Sequence, residues 1–148
     1  MSNYNVSKTF KFDAAHRLID GYVGKCNSLH GHTWKAVVTL CSTDTELDKF
    51  GMLYDFNDFK PLREWVDNRL DHATILNISD PLVDTLASLP SSTPMCRVYA
   101  MMDNPTSENL AREIFHQATQ LLDLSLTNAY VECVEVWESE TSKAVYYG

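Results

Sequence analysis

The sequence predicts an α+β fold in which helices cover one face of an antiparallel sheet. Three observations predict it: two segments of period-two hydrophobicity near the start, two more at the end, and two stretches of helical periodicity between them. The resulting order is β-β-α-α-β-β, and elements with one apolar face bury it by stacking the helices on the sheet.

Each element has its own justification. From Tyr4 to His16 the even positions carry Tyr4, Val6, Lys8, Phe10, Phe12, Ala14 and His16, largely one apolar face of a half-buried strand. From His30 to Leu40 the even positions carry His30, His32, Trp34, Ala36, Val38 and Leu40, with Thr33, Lys35 and Thr39 opposite. These two strands are expected to pair antiparallel across the loop Asp20–Leu29, which contains Gly21 and Gly24. After the short run Met52–Phe56, Asn57 is the expected N-cap of a helix over Asp58–Leu70. Pro61 is tolerated there in the first turn, and Phe59, Leu62, Val66 and Leu70 form the buried stripe. The segment Asn77–Asn104 carries Pro81, Pro90, Pro94 and a Ser-Ser-Thr run, and reads mostly as loop with a short strand over Arg97–Met101. Pro105-Thr106 opens the clearest helix, with Leu110, Ile114, Ala118 and Leu121 along one side, ending near Asp123. Tyr130–Glu138 and Lys143–Tyr147 alternate about a turn at Ser139–Ser142, the pattern of a hairpin. With no internal repeat or second core in view, residues 1–148 are expected to form a single domain.

Composition narrows the function. A net charge of −8 opposes adhesion to nucleic acid and to anionic membranes, both of which rely on clustered Lys and Arg. No apolar stretch approaches the roughly 20 residues that span a bilayer, and the first residues lack the apolar core of a signal peptide. Four cysteines without CxxC spacing are expected to remain thiols, and a cytoplasmic location follows.

The chemistry concentrates in histidine and a few partners. His16, His30 and His32 fall on the two predicted strands, with His30 and His32 on one face. A lone HxH is more often an ordinary strand feature, but Gly31 between the two and a third His ending the paired strand favour a metal. Three neutral nitrogen ligands with an open fourth position suit catalytic zinc. Cys26 lies in a polar loop four residues before His30, where a neighbouring cation such as Lys25 favours a thiolate. Asp71-His72 ends the first helix; an imidazole is welcome at helix carbonyls, and a carboxylate that orients it also makes a proton shuttle. Glu138 shares a strand face with Val134 and Val136 and needs a donor partner, which a ligand can be. Thr106 is an N-cap by default, although helix N-termini also offer free N–H groups to ligands.

Taken in order, Phe12-Asp13-Ala14-Ala15-His16, Cys26-Asn27-Ser28-Leu29-His30-Gly31-His32, Asp55-Phe56, Leu70-Asp71-His72 with Leu76-Asn77, Asn104-Pro105-Thr106-Ser107-Glu108-Asn109, Val136-Trp137-Glu138 and Tyr146 resemble the 6-pyruvoyl- and 6-carboxytetrahydropterin synthase family. The resemblance covers nearly the whole chain. It implies the tunnelling fold, whose subunits form trimeric barrels that pair as a hexamer with active sites between subunits. It further implies Zn2+ on His16, His30 and His32, Cys26 as base, and Asp71 and His72 as a proton relay from elsewhere in the oligomer. Glu138 would grip the guanidine-like edge of a pterin, and Thr106 and Ser107 would line its pocket. The implied substrate is 7,8-dihydroneopterin triphosphate, with Arg17 and Lys25 as candidate phosphate contacts. Three residues between Cys26 and His30 resemble the carboxy branch, which also expels acetaldehyde on the way to queuosine and other 7-deazaguanines. The alternatives are the pyruvoyl branch, which retains the three-carbon side chain, and a non-catalytic pterin-binding module whose histidines are structural.

Overall fold

The computed structural model describes residues 3–89 and 96–148. Strand β1 (Asn5–His16) pairs antiparallel with β2 (His30–Ser42), and the register sets Phe12 against Trp34 and His16 against His30. Opposed residues in an antiparallel pair share a face. The alternation read from the sequence therefore puts Phe10, Phe12, Trp34, Ala36, Val38 and Leu40 together in the core. β5 (Ala129–Ser139) and β6 (Ser142–Tyr147) form the expected C-terminal hairpin, and β5 lies antiparallel against β2.

The first helix starts earlier and ends differently than expected. Asp55, not Asn57, caps it: the Asp55 carboxylate accepts the Asn57 N–H at 2.8 Å, and a 3-10 turn over Phe56–Phe59 leads into α1 (Lys60–Trp65). The last turn, Val66–Leu70, widens to π geometry and is closed by the Asp71 N–H donating to Val66 O at 2.9 Å. Phe59, Leu62, Val66 and Leu70 are all buried, as their spacing predicts.

The stretch read mostly as loop holds more structure. β3 (Ala73–Asn77) follows the first helix at once, and α2 (Pro81–Ala87) starts from Asp80, which accepts the Leu82 N–H at 2.8 Å. β4 (Arg97–Met101) is the short strand expected. Strand β3 was invisible because Ile75, Leu76 and Asn77 are all buried, and a strand covered on both faces shows no alternation. It pairs parallel with both β1 and β4, so the sheet order among the described residues is β4-β3-β1-β2-β5-β6. The antiparallel four-stranded core is as expected, but the complete sheet is mixed. Pro90, Pro94 and the Ser-Ser-Thr run lie outside the described residues.

Helix α3 (Ser107–Leu121) packs on β5 and β6, burying Leu110, Ala111, Ile114 and Ala118. Thr106 caps it by accepting the Asn109 N–H at 3.2 Å. The helices thus cover one face of the sheet, as the hydrophobic pattern requires. The end of β1, the start of β2 and the entry to α3 meet at one edge of this core.

Candidate metal centre

The β1–β2 register brings the three imidazoles together. Ring centroids lie 4.5 Å apart for His16 and His30, 5.1 Å for His16 and His32, and 5.0 Å for His30 and His32. Two rings are oriented from behind: His16 Nδ1 lies 2.7 Å from Pro105 O, and His30 Nδ1 lies 2.6 Å from Ser28 O. A carbonyl only accepts, so in both rings Nδ1 carries the proton and Nε2 is left as a lone pair. Trp34, fully buried, walls the cluster edge-on at 4.8 Å from His16 and 5.2 Å from His32, and donates its own N–H to Ala14 O at 3.1 Å.

The set fits a metal ion. His16 Nε2 and His32 Nε2 are buried with no hydrogen-bond partner among the described residues. Glu138 Oε1 lies 2.8 Å from His32 Nε2 and 3.8 Å from His16 Nε2, without hydrogen-bond alignment to either. One ligand atom from each of His16, His30, His32 and Glu138 lies within 4.8 Å of the others. An unmatched buried polar atom costs about 1–3 kcal/mol, and a shared cation removes that cost for several atoms at once. Burial is the main reason the His16 pKa is lowered, against the opposing pull of the Pro105 carbonyl. A neutral imidazole is the form that binds metal.

Beside the cluster is a cavity of about 260 Å³ lined by His16, Cys26, Thr106, Ser107, Glu138 and Lys143. Cys26 reaches it from a 3-10 turn over Lys25–Asn27, held by the Leu18 N–H donating to Cys26 O at 2.8 Å. Ser107 Oγ donates to Glu138 Oε2 across a long 3.5 Å. Glu138, beside the irregularity that ends β5, thus stands between the imidazoles and the cavity. The structure brings together His16, His30, His32, Cys26, Thr106, Ser107 and Glu138, all singled out in the sequence, and adds the Pro105 and Ser28 carbonyls, the Trp34 wall and Lys143. Backbone carbonyls carry no residue-type signal; Trp34 was visible as a neighbour of His32 on the same strand face.

Asp71 and His72 lie elsewhere in the chain. His72 lines a separate, open concavity with Asp13, Ala14, Gly31, His32 and Thr74. The dipeptide is clasped to β1: the Asp13 N–H donates to Asp71 Oδ1 at 2.9 Å, and the His72 N–H donates to Asp13 O at 2.7 Å. That double contact holds His72 at φ 59, a left-handed conformation uncommon outside glycine. The His72 ring donates from Nδ1 to Asp71 Oδ2 at 2.8 Å and is otherwise 78% exposed. Burial alone would raise the Asp71 carboxyl, but the Asp13 N–H and the His72 ring together hold it below its ordinary value.

Arg17 has a different occupation from the one expected. Its Nε donates to Asp80 Oδ2 at 2.7 Å and its Nη2 to Asp80 Oδ1 at 2.5 Å, a bidentate pair tying the end of β1 to the cap of α2. Lys25 is exposed beside Cys26. Gly31, which favoured a metal reading, answers no steric demand among the described residues, where an added Cβ would meet nothing nearer than Ala14 O at 3.6 Å.

The chain matches the 6-pyruvoyl tetrahydropterin synthase family over residues 5–148. It is 32% identical over 148 residues to the 6-carboxy-5,6,7,8-tetrahydropterin synthase of Haemophilus influenzae, covering 97% of this chain and 98% of that one. With the protein of the same name from Rickettsia bellii it shares 35% identity over 127 residues, 82% of this chain and 88% of the relative. Among solved structures, an uncharacterized protein from Wolinella succinogenes superposes with a TM-score of 0.82 at 24% identity, covering 98% of each chain. The 6-pyruvoyl tetrahydropterin synthase of Caenorhabditis elegans gives 0.68 at 22% identity, covering 98% of this chain and 95% of that one. At these identities the structural likeness speaks for the fold.

Proposed function

Because the chain belongs to the 6-pyruvoyl tetrahydropterin synthase family, we propose that it is a zinc-dependent pterin lyase. It would convert 7,8-dihydroneopterin triphosphate to 6-carboxy-5,6,7,8-tetrahydropterin, releasing acetaldehyde and triphosphate, as a step toward queuosine and related 7-deazaguanines. The relatives that carry the carboxy name over nearly their whole length support this branch. The observation that carries the reading is the convergence of three imidazoles beside a cavity that also holds Cys26 and Glu138.

His16, His30 and His32 would hold the zinc, which when bound supplies an open Lewis-acidic position for a substrate oxygen. Glu138 accepts from the two N–H donors of the pterin edge, a charge-assisted contact that a neutral amide would weaken. Ser107 Oγ steadies that carboxylate, and Thr106 lines the same wall. Cys26, at the cavity edge, takes a proton from the substrate side chain. His72 returns one, with Asp71 fixing its Nδ1–H and leaving Nε2 to exchange protons. Within one chain His72 does not share the Cys26 cavity, so a second copy is required to complete the relay. The sheet ends on strands β4 and β6, whose edges lack a partner among the described residues; edge-to-edge closure into trimeric barrels paired as a hexamer would cover them. Lys25 is the remaining candidate for the phosphates.

Incubating the protein with 7,8-dihydroneopterin triphosphate and weighing the products by mass spectrometry tests this directly. A carboxy-pterin with acetaldehyde supports it, whereas a product retaining all three side-chain carbons would move the protein to the pyruvoyl branch. Turnover unaffected by chelation, in protein without stoichiometric zinc, would overturn the metal role.

A further inference from the structure

Two rungs connect the end of β1 and the segment after it to the segment that opens α3. One is the His16 Nδ1–H on Pro105 O, at 2.7 Å. The other belongs to Asn104: its Oδ1 accepts the Ile19 N–H at 3.1 Å, and its Nδ2 donates to Ile19 O at 3.2 Å. A side-chain amide that both accepts from and donates to one residue's backbone fixes that residue as a neighbouring strand would. The Asn104 backbone is pinned in turn, since its carbonyl accepts the Thr106 N–H at 2.8 Å and Asn109 Nδ2 at 2.9 Å. Its proline successor further restricts it to extended geometry. On the far side of Ile19, the Leu18 N–H donates to Cys26 O at 2.8 Å, and Asn27 Nδ2 reaches Leu18 O at 3.4 Å.

We propose that Asn104 is a positioning residue that sets the metal ligand His16 and the thiol of Cys26 from a single clamp. It touches neither group. Through its neighbour's carbonyl it fixes the tautomer and tilt of the His16 ring, and through Ile19 and Leu18 it fixes the turn that presents Cys26. The inference rests on the proposed metal reading for its first half and on the loop geometry alone for its second. Outer-shell partners of a metal-bound histidine commonly change metal affinity by 10- to 100-fold. Asn104 acts one bond further out and controls the acceptor itself.

The test compares the parent protein with Asn104→Ala and with Asn104→Asp, which keeps the acceptor for the Ile19 N–H but loses the donor. Zinc affinity is read by chelator competition, and amide exchange at Leu18 and Ile19 is read in metal-free protein. The expected result is a tenfold or greater loss of zinc affinity and tenfold faster exchange in Asn104→Ala, with Asn104→Asp between it and the parent. Zinc affinity within twofold of the parent in both variants, whatever their melting temperatures, overturns the proposal. Should the parent itself take up no zinc, the metal reading fails instead. The clamp then stands or falls on the exchange rates, and unchanged exchange at Leu18 and Ile19 would sink it.

Discussion

Replacing Arg17 by Ala separates a structural clamp from a phosphate contact. The substitution removes two charge-assisted bonds, at 2.7 and 2.5 Å, from a carboxylate whose side chain has no solvent exposure. Breaking a buried pair from one side costs roughly 3–5 kcal/mol, because the other charge is left uncompensated. Here the Arg17 side chain is 24% exposed and the Leu82 N–H still bonds Asp80, so screening lowers the expected loss to about 2–3 kcal/mol. For a chain of this size that is a fall of roughly 5–10 °C in Tm. The Arg17 hydrogen bond is the main cause of Asp80's lowered pKa. A carboxyl depressed in the folded state stabilises above its unfolded value of about 3.9, and loses that contribution as pH falls through the folded value. The gap between parent and variant is therefore flat from neutral pH down to about 5 and closes below about 4. Urea unfolding of metal-free protein across that range measures it, and adding Asp80→Asn to the variant should recover about 1 kcal/mol or more. A loss below about 0.5 kcal/mol at pH 7, joined to a tenfold rise in KM, would refute the clamp and restore Arg17 to the phosphates.

Three further outcomes follow from the site. Cys26→Ala should abolish turnover and keep zinc, whereas His30→Ala should lose the metal; equal metal loss in both would make Cys26 a ligand. Glu138→Gln should retain one zinc per chain and raise KM at least tenfold, measured by metal analysis and steady-state kinetics, while loss of the zinc would identify Glu138 as a fourth ligand. Gly31→Ala should leave zinc affinity within about threefold of the parent, because its Cβ would meet only ordinary contacts; a large loss would reveal a close approach by another subunit.

The histidine cluster was legible because a strand's period of two places His30 and His32 on one face whatever the surroundings. His16 joined them through the predicted antiparallel pairing, and the structure supplies the register that sets it opposite His30. Helix α3 and the C-terminal hairpin were equally plain, since each keeps one apolar face toward the core. β3 was not, because burial on both faces erases the alternation on which a strand is recognised. Nor was α2, whose Pro81 looked like a breaker but occupies the first turn behind the Asp80 cap.

The sequence by itself determined which residues could meet a metal and which faces had to be buried, for both follow from local periodicity and side-chain chemistry. Only the tertiary structure decided how those residues are aimed. The Pro105 carbonyl that orients the His16 ring, the carboxylate that claims Arg17, and the placement of His72 away from the Cys26 cavity all depend on contacts between segments far apart in the chain. Backbone groups are the same in every residue, so their placement is settled by folding and leaves no mark in the order of side chains.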